Sequence, residues 1–175
     1  MKREYLSAFD KDGSPVGKIE YHVAHGENPG VYHKAAWIHF INSQGEILVQ
    51  RRSKNMRSPL KWGCSGGHVD YGEELLATCV REVREELGIT LPKEKFEYLF
   101  QFFYKAGWEF GETFLVEFNI PTEEMKPDPH EVAEIKWLSF DEFKRLVHSP
   151  DYVPIPTEYK DKLCETLARR VLRSR

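Results

Sequence analysis

Three glutamates of one short segment, Glu82, Glu85 and Glu86, are spaced so that they could hold a divalent cation. In an α-helix, residues three and four apart are neighbours on one face, and like charges at that spacing repel each other. On a merely solvated face, Arg81 and Arg84 could offset this repulsion. The alternative is a metal site, because Mg²⁺ and Mn²⁺ prefer carboxylate oxygens together with substrate phosphates.

The segment that carries the glutamates is predicted to be helical from about Glu73 to Leu87, with Gly88 as its C-terminal stop. Apolar residues recur on one side of this helix and should face the core: Leu76, Val80, Val83 and Leu87. The three glutamates fall away from this stripe. We therefore expect all three carboxylates on the exposed face.

Strands and further helices are predicted on both sides of this helix. "EYLSAFDKDGSPVGKIEYHVAH" indicates two short strands around an Asp-Gly turn, and "KAAWIHFINSQGEILVQRRS" indicates two more. The stretch "NMRSPLKWGCSGGHVDYGE" should be mostly loop, and a second hairpin is expected around Gly107 and Gly111. A strand and a helix capped by Ser139 should follow, then a last helix from near Pro156 to Leu172. This order predicts an α+β fold, an α/β/α sandwich with a mixed sheet.

The composition limits the class of protein. The chain has 175 residues, which suits one domain over residues 1–175, with residues 1–30 as an N-terminal β extension. Its 25 Lys and Arg residues against 28 Asp and Glu residues give a net charge of −3, which disfavours binding to duplex nucleic acid. The apolar runs are too short to span a membrane, and no secretory signal is recognisable at the start. Three cysteines without CxxC spacing predict a reduced, cytoplasmic setting.

The spacing from Gly67 to Ile89 resembles the signature of the Nudix hydrolase family. Gly67 is followed after five residues by Glu73, and after seven more by "REVREELGI" from Arg81. This matches the family pattern G-x5-E-x7-R-E-U-x-E-E-x-G-U, with U apolar, at every defined position. The resemblance implies the Nudix fold with its loop-helix-loop, and hydrolysis of a diphosphate linkage that depends on Mg²⁺ or Mn²⁺.

The resemblance also implies roles for individual residues. The metal ligands would be Glu82, Glu85, Glu86 and the backbone carbonyl of Gly66, with Glu112 as a further candidate. Arg81 and Glu73 would form the ion pair that holds the loop. Glu85 or Glu86 would take the proton of the attacking water, unless a glutamate outside the motif does so, for which Glu112 and Glu131 are the candidates.

A second resemblance, in the N-terminal half, is to the type I isopentenyl-diphosphate isomerases, which share the Nudix fold. It is carried by "DKDGSPVGK", "LVQRRS", Trp62 and the Gly-His pair, and it implies histidine metal ligands at or near His25, His33 and His68, with Glu112 near one glutamate position. The isomerase cysteine, however, would fall on Gly66, the nearest cysteine is Cys64, and the partner glutamate position holds Phe110. These departures favour hydrolysis, with the isomerase and a non-catalytic nucleotide-sensing domain as alternatives.

The substrate side is less sharply defined by the sequence. Arg51 and Arg52 end a strand and are predicted to grip a phosphate. His68 could contact a phosphate or ligate a second ion, and Trp108 is the aromatic residue expected to face a ligand. His33, beside a β-run, is expected to be half-buried and hydrogen-bonded. The predicted partner is a small-molecule diphosphate such as a nucleoside diphosphate derivative, and the fold is compatible with a homodimer.

Overall fold

The computed structural model describes residues 5–26 and 30–172 of the chain. The strands are β1 (Tyr5–Phe9), β2 (Pro15–Glu20), β3 (His33–Ile41), β4 (Ile47–Arg52), β5 (Trp62–Gly63), β6 (Ser65–His68), β7 (Glu97–Tyr104), β8 (Glu109–Glu117) and β9 (Val132–Leu138). The α-helices are α1 (Tyr21–Ala24), α2 (Leu75–Leu87), α3 (Phe140–Val147) and α4 (Thr157–Val171). Single 3₁₀ turns lie at Lys93–Lys95, Lys105–Gly107 and Thr122–Glu124. Within the described ranges, no helix is long and apolar enough to cross a membrane.

The central sheet is mixed, as the sequence predicted. Its main path has the order β5-β4-β3-β8-β7, with β6 paired to β3 and β9 paired to β4. Strands β3 and β8 run parallel, and the other pairs are antiparallel. The parallel register places His33 opposite Glu109 and Ala36 opposite Glu112. This pairing brings residues 76 positions apart in the sequence next to each other.

Alternation along β3 directs its side chains toward the two helical layers of the predicted sandwich, one on each face of the sheet. Ala36, Ile38 and Phe40 pack into a core cluster with α2. Ile41, together with the partly buried Trp37, packs into a second cluster with α3 and α4. Because successive side chains of a strand point to opposite faces, helices cover both faces of the sheet.

The C-terminal elements begin and end where the sequence predicted. Ser139 caps α3 with a capping box: its Oγ accepts a hydrogen bond from the backbone N–H of Glu142, whose carboxylate accepts one from the backbone N–H of Ser139. Helix α4 buries side chains four residues apart, Tyr159, Leu163, Leu167 and Val171, against the sheet.

The N-terminal hairpin of β1 and β2 forms a separate two-stranded sheet over one end of the main sheet. Isolated bridges join Phe9 to Tyr32 and Leu6 to Asp70. The hairpin leads directly into the short helix α1, which the sequence did not predict. As a result, His25, the C-cap of α1, lies over the edge where β3 and β6 meet.

Two predictions about the motif region need correction. The segment before α2 contains β5 and β6, because Ser65–His68 pairs with β3 although it is rich in glycine. In α2, Glu82 and Glu86 are buried rather than exposed, and Glu85 alone of the three is exposed. Besides the strands that its apolar stripe covers, the helix packs against strand β6 of the same sheet, so the face beyond the apolar stripe is covered as well.

Candidate functional site

Strand β6 presents different chemistry on its two faces. The Ser65 hydroxyl donates a 2.5 Å hydrogen bond to the Glu86 carboxylate, and a Cβ added at Gly67 would point at the Glu82 carboxylate. The side chain of His68 lies on the opposite face, beside two other histidines. We call these the carboxylate face and the histidine face of β6.

On the carboxylate face, the predicted metal ligands come together. One oxygen of Glu86 accepts hydrogen bonds from Ser65 Oγ and, at 2.9 Å, from the backbone N–H of Gly66. Burial raises the pKa of Glu82 to about 8 and that of Glu86 to about 7, and the negative charge of Glu86 adds to the shift of Glu82. Two buried carboxylates next to the exposed Glu85 are a donor set for a hard divalent cation.

The predicted ion pair between Arg81 and Glu73 is formed and does more than join two residues. The guanidinium donates two hydrogen bonds to Glu73, at 2.9 and 3.0 Å, in the bidentate geometry of strong ion pairs. It also donates to Glu82 at 2.6 Å, to Glu85 at 3.2 Å and to the backbone carbonyl of His68 at 3.0 Å. Arg81 therefore connects the loop, the carboxylates and the last residue of β6.

The glycine pair of β6 permits this close approach. A Cβ at Gly67 would lie 2.3 Å from a carboxylate oxygen of Glu82. Gly66 has φ +140°, and a Cβ there would lie 2.0 Å from the backbone oxygen of Ala36. Any side chain at position 66, including the cysteine that the isomerase resemblance would require, therefore demands a shift of the backbone.

The two glutamates proposed as loop bases lie in different surroundings. Glu112 is buried on β8, accepts a 2.8 Å hydrogen bond from Gln101 and lies 3.8 Å from Lys34 Nζ. Glu131 has a raised pKa because it is partly buried and because the charges of Asp128 and Glu85 act on it. Of the two, Glu131 is the one next to the carboxylates of α2.

The basic residues before the motif separate in the structure. Arg51 donates a hydrogen bond to the carbonyl of Leu60, lies 3.8 Å from Glu134 and does not line the cavity on the histidine face of β6. Arg52 lines the cavity on the histidine face of β6, and its Nε donates a hydrogen bond to the backbone carbonyl of Arg57. Arg57, which the sequence did not single out, lines the same cavity.

Trp108, predicted to face a ligand, packs its ring 5.2 Å from that of Tyr32 instead. Its backbone is left-handed, with φ 52°, and Trp108 does not line the cavity that its neighbours Gly107 and Glu109 line. The aromatic residue of this hairpin that does line the cavity is Tyr104.

On the histidine face, His25, His33 and His68 form a compact cluster. One potential ligand atom from each lies within 4.8 Å of the others, and His25 Nε2 is 3.0 Å from His68 Nε2. The Glu109 carboxylate lies 3.7 Å from both His33 Nε2 and His68 Nε2. The sequence missed Glu109, because the resemblance directed attention to positions 110 and 112 and only the β3–β8 register brings position 109 to the cluster.

The cluster is buried and incompletely hydrogen-bonded. His33 is fully buried, and among the described residues neither of its ring nitrogens has a hydrogen-bond partner, so the expectation of a half-buried, hydrogen-bonded histidine is wrong. One oxygen of Glu109 is likewise unpaired, and 3.7 Å is too long for a hydrogen bond. Buried polar atoms without hydrogen-bond partners are costly, and these atoms of His33 and Glu109 are available to a bound ligand.

Electrostatics favour neutral imidazoles here. Burial and then the charge of His68 lower the pKa of His25 to about 4, and burial lowers that of His33. Burial alone would raise the pKa of Glu109, but the neighbouring His33 and His68 outweigh it and hold the pKa at about 2. Neutral imidazole nitrogens beside an ionised carboxylate are the protonation states that metal ligation requires.

A cavity of about 250 Å³ opens along the histidine face. His68 and Glu109 line one part of it, Arg52 and Arg57 another, and the rest is largely aromatic and aliphatic. The carboxylates of Glu82 and Glu86 do not line it, because they lie behind the backbone of β6. Cys64 does line it. Burial, and to a smaller extent the negative charge of Glu86, raises the pKa of its thiol to about 12.

Fold and site together define a class of protein: an α+β sandwich in which a helix presents clustered carboxylates to a glycine-containing strand. The chain belongs to the Nudix family, since the NUDIX domain model matches residues 31–157. It is 31% identical over 170 residues to Nudix hydrolase 3 of Arabidopsis thaliana. The aligned residues cover 88% of this chain and 22% of that protein. The chain thus spans about a fifth of that relative's length.

Two further likenesses were found. An isopentenyl-diphosphate Delta-isomerase of Cutibacterium acnes is 28% identical over 158 residues, covering 83% of this chain and 79% of that protein. The crystal structure of DR0079 from Deinococcus radiodurans has the same fold, with a TM-score of 0.71 and 20% identity over 95% of this chain and 98% of that one. Hydrolases and isomerases are both among the relatives, as the two resemblances in the sequence implied.

Proposed function

We propose that the chain is a divalent-metal-dependent hydrolase that cleaves a diphosphate linkage in a nucleoside diphosphate derivative or a similar small molecule. The observation that carries this proposal is the carboxylate face, where Glu82 and Glu86 are buried beside Glu85 and one arginine, Arg81, bonds two of the three. Family membership and relatives named as Nudix hydrolases support an enzyme of this kind.

The donor set fits Mg²⁺ or Mn²⁺. The proposed ligands are the carboxylates of Glu82, Glu85 and Glu86 and the carbonyl of Gly66. All are hard oxygen donors, and they belong to one helix, α2, and one strand, β6. When bound, a divalent cation would neutralise charge on the diphosphate and lower the pKa of a water molecule. Glu112 is less suited as a ligand, because its carboxylate bonds Gln101 on another strand.

The side chains of the site have separate tasks in this proposal. Glu73 and Arg81 hold the loop and orient the carboxylates. Glu85 or Glu86 accepts the proton of the attacking water at a carboxylate oxygen. Glu131 is the alternative base outside the motif that the charges favour, because Glu85 lies close enough to shift its pKa.

The isomerase alternative receives less support from the site. It needs an acidic thiol next to the Gly-His pair, where Gly66 has a conformation that excludes a side chain. Cys64, the nearest substitute, has a thiol whose pKa is raised to about 12 by burial, which weakens it as an acid. The second alternative, a nucleotide sensor without turnover, gives no catalytic role to the three carboxylates of α2.

We also propose that His25, His33, His68 and Glu109 hold a second metal ion, as the isomerase resemblance implied for the histidines. The unpaired nitrogens of His33 and the unpaired oxygen of Glu109 support this site. Three imidazoles and one carboxylate suit a borderline transition ion such as Zn²⁺ or Co²⁺ better than Mg²⁺. His25 Nδ1 lies 2.9 Å from the carbonyl of Tyr21, so Nε2, which lies 3.0 Å from His68 Nε2, is the nitrogen that faces the cluster.

A screen of diphosphate compounds with Mg²⁺ and with Mn²⁺, following phosphate or monophosphate release, tests the proposed hydrolase. We expect turnover of at least one compound, dependent on the ion. Tight nucleotide binding without any turnover would favour the sensor, and proton exchange into isopentenyl diphosphate would favour the isomerase. The cytoplasmic setting and the homodimer stay predictions.

A further inference from the structure

We infer that Ser65 and Gln50 are positioning residues for Glu86, which they hold with neutral hydrogen-bond donors so that its negative charge stays available to a divalent cation. This inference rests on the proposed function and deepens it, because it names residues outside the motif helix on which cation binding depends. It comes from the two different ways in which the three carboxylates of α2 are held.

Glu82 and Glu85 are held by positive charge. The Arg81 guanidinium donates hydrogen bonds to Glu82 at 2.6 Å and to Glu85 at 3.2 Å. Arg84 also lies 3.6 Å from Glu85. These arginines orient the two carboxylates, but their charges also cancel part of the attraction that the carboxylates exert on a cation.

Glu86 is held by neutral groups, although its side chain is buried. Its Oε2 accepts hydrogen bonds from Ser65 Oγ at 2.5 Å and from the backbone N–H of Gly66 at 2.9 Å. Within residues 5–26 and 30–172, no Lys, Arg or His side chain forms an ion pair with Glu86. A neutral donor fixes the direction of a carboxylate without cancelling its charge.

Gln50 is the third neutral group at this carboxylate. It lies on β4 opposite Gly63, two positions before Ser65, so the pairing of β4 with β5 brings its side chain to Glu86. Its hydrogen bond to Glu86 opposes the rise in pKa that burial of the carboxylate causes. Two strands therefore supply the side-chain donors for one glutamate of α2.

Packing alone does not account for Gln50. The residue follows the buried apolar segment 47–49 of β4, is itself buried, and its Oε1 has no hydrogen-bond partner among the described residues. A buried amide with an unpaired oxygen lowers stability, and an apolar side chain of similar size would avoid that cost. The contact with Glu86 gives the amide a role that an apolar residue could not fill.

The arrangement preorganises two of the proposed cation ligands. The N–H of Gly66 donates to Glu86, and the carbonyl of the same residue is a proposed ligand, so β6 fixes both groups relative to each other. Removal of a group that hydrogen-bonds a metal ligand typically weakens metal binding about 10–100-fold. We expect an effect of this size for the Ser65 hydroxyl and for the Gln50 amide.

The test measures Mn²⁺ affinity from the electron paramagnetic resonance signal of free Mn²⁺, in a His68→Ala background that weakens the histidine face. Ser65→Thr and Ser65→Val have the same shape, and only the threonine keeps the hydroxyl. We expect Ser65→Val to bind Mn²⁺ at least about tenfold more weakly than Ser65→Thr. Gln50→Met should bind it at least about tenfold more weakly than the background protein.

Thr113→Val is the matched control. It deletes the hydroxyl of another buried residue, which lies near the Tyr159 hydroxyl on the opposite face of the sheet, and should leave the Mn²⁺ affinity unchanged. Circular dichroism identifies a variant that fails to fold, and the comparison at the other position then decides.

The outcomes separate this inference from the proposed function. Equal affinities of Ser65→Thr and Ser65→Val would overturn the role of Ser65, and an unchanged affinity of Gln50→Met would overturn that of Gln50. Both results leave the hydrolase standing. If Glu86→Gln in the same background bound Mn²⁺ as tightly as the background protein, the carboxylate face would not be the cation site, and both proposals would fall.

Discussion

The two faces of β6 differ in the chemistry of the groups that lie on them. The carboxylate face offers hard oxygen ligands, and Arg81 bonds Glu82 and Glu85. The histidine face offers imidazoles beside Glu109 and opens into a cavity that is largely apolar. Between Gly67 and His68 the chemistry changes within one residue, because adjacent residues of a strand point to opposite sides.

This difference teaches that two resemblances in one sequence need not compete. The hydrolase motif describes the carboxylate face, and the isomerase-like histidines describe the other. They meet at Arg81, which bonds Glu82 on one side and the carbonyl of His68 on the other. Four measurements can break or sharpen the comparison.

The largest effect is expected on the carboxylate face. Glu86→Gln keeps the size of the side chain but removes the negative charge, so turnover should fall at least about 1,000-fold. Steady-state kinetics on a substrate found in the screen measure this. Glu123→Gln, in an exposed 3₁₀ turn, is the control and should retain activity. Equal activity of Glu86→Gln and Glu85→Gln with the wild type would remove both from the mechanism.

The next effect concerns the glycine pair that separates the faces. Gly66→Cys should lower the free energy of unfolding by at least about 3 kcal/mol, because the strained φ and the clash with Ala36 add together. Gly72→Cys, also at positive φ but with open space around it, should cost only about 1–2 kcal/mol. Urea unfolding gives both values. If the two variants proved equally stable, the close approach at Gly66 would be wrong.

On the histidine face, His68→Ala should weaken the binding of Co²⁺ at least about 100-fold. The measurement is the visible absorption of Co²⁺ during titration, made in a Glu85→Gln, Glu86→Gln background so that the carboxylate face does not contribute. His148→Ala, on the surface beside Asp161, is the control. An unchanged Co²⁺ spectrum and affinity in the His68 variant would show that the cluster is not a metal site.

The smallest effect lies behind the cavity wall. Burial lowers the pKa of His39 to about 3, so the unfolded chain binds a proton below about pH 6.5 that the folded protein does not. The contribution of this residue to the free energy of unfolding is complete above about pH 6.5, and lowering the pH to about 5.5 removes about 1.4 kcal/mol of it.

Unfolding at several pH values checks this slope. Replacing His39 and its partner Tyr159 together by Phe should reduce this pH dependence by the contribution of one proton, because His25 and His33 also have lowered pKa values. His148→Gln at the surface should not reduce it. If the pH dependence of the double variant matched that of the wild type, another group would be responsible.

The sequence predicted most of the elements because their signals are local. The wheel of α2, the Gly88 stop, the Ser139 cap and the hairpin turns each depend on a few neighbouring residues. The ion pair of Glu73 and Arg81 was implied by the resemblance to the Nudix family, whose motif contains both residues. The errors occurred where a second element intervened: β6 covers the face of α2 that was expected to be exposed, and thereby buries Glu82 and Glu86.

The residues around the cavity illustrate the same limit. Trp108 and Arg51 have the side-chain chemistry expected at a substrate site, but neither lines the cavity. The Trp108 ring packs against Tyr32, and Arg51 bonds the carbonyl of Leu60. Glu109 and Arg57 carry no signal in their local sequence that distinguishes them. Their place at the site depends on strand register and on the path of a loop.

By itself, the sequence determined the family, the order of the elements and the carboxylate set, because a helix and its motif are specified over about twenty consecutive residues. Only the tertiary structure decided that β6 divides the site into two faces, that Glu109 joins three histidines, and that a small, largely apolar cavity lies beside them. The physical reason is that each of these depends on long-range pairing, since β3 brings β6 and β8 to its two edges and residues distant in sequence meet there.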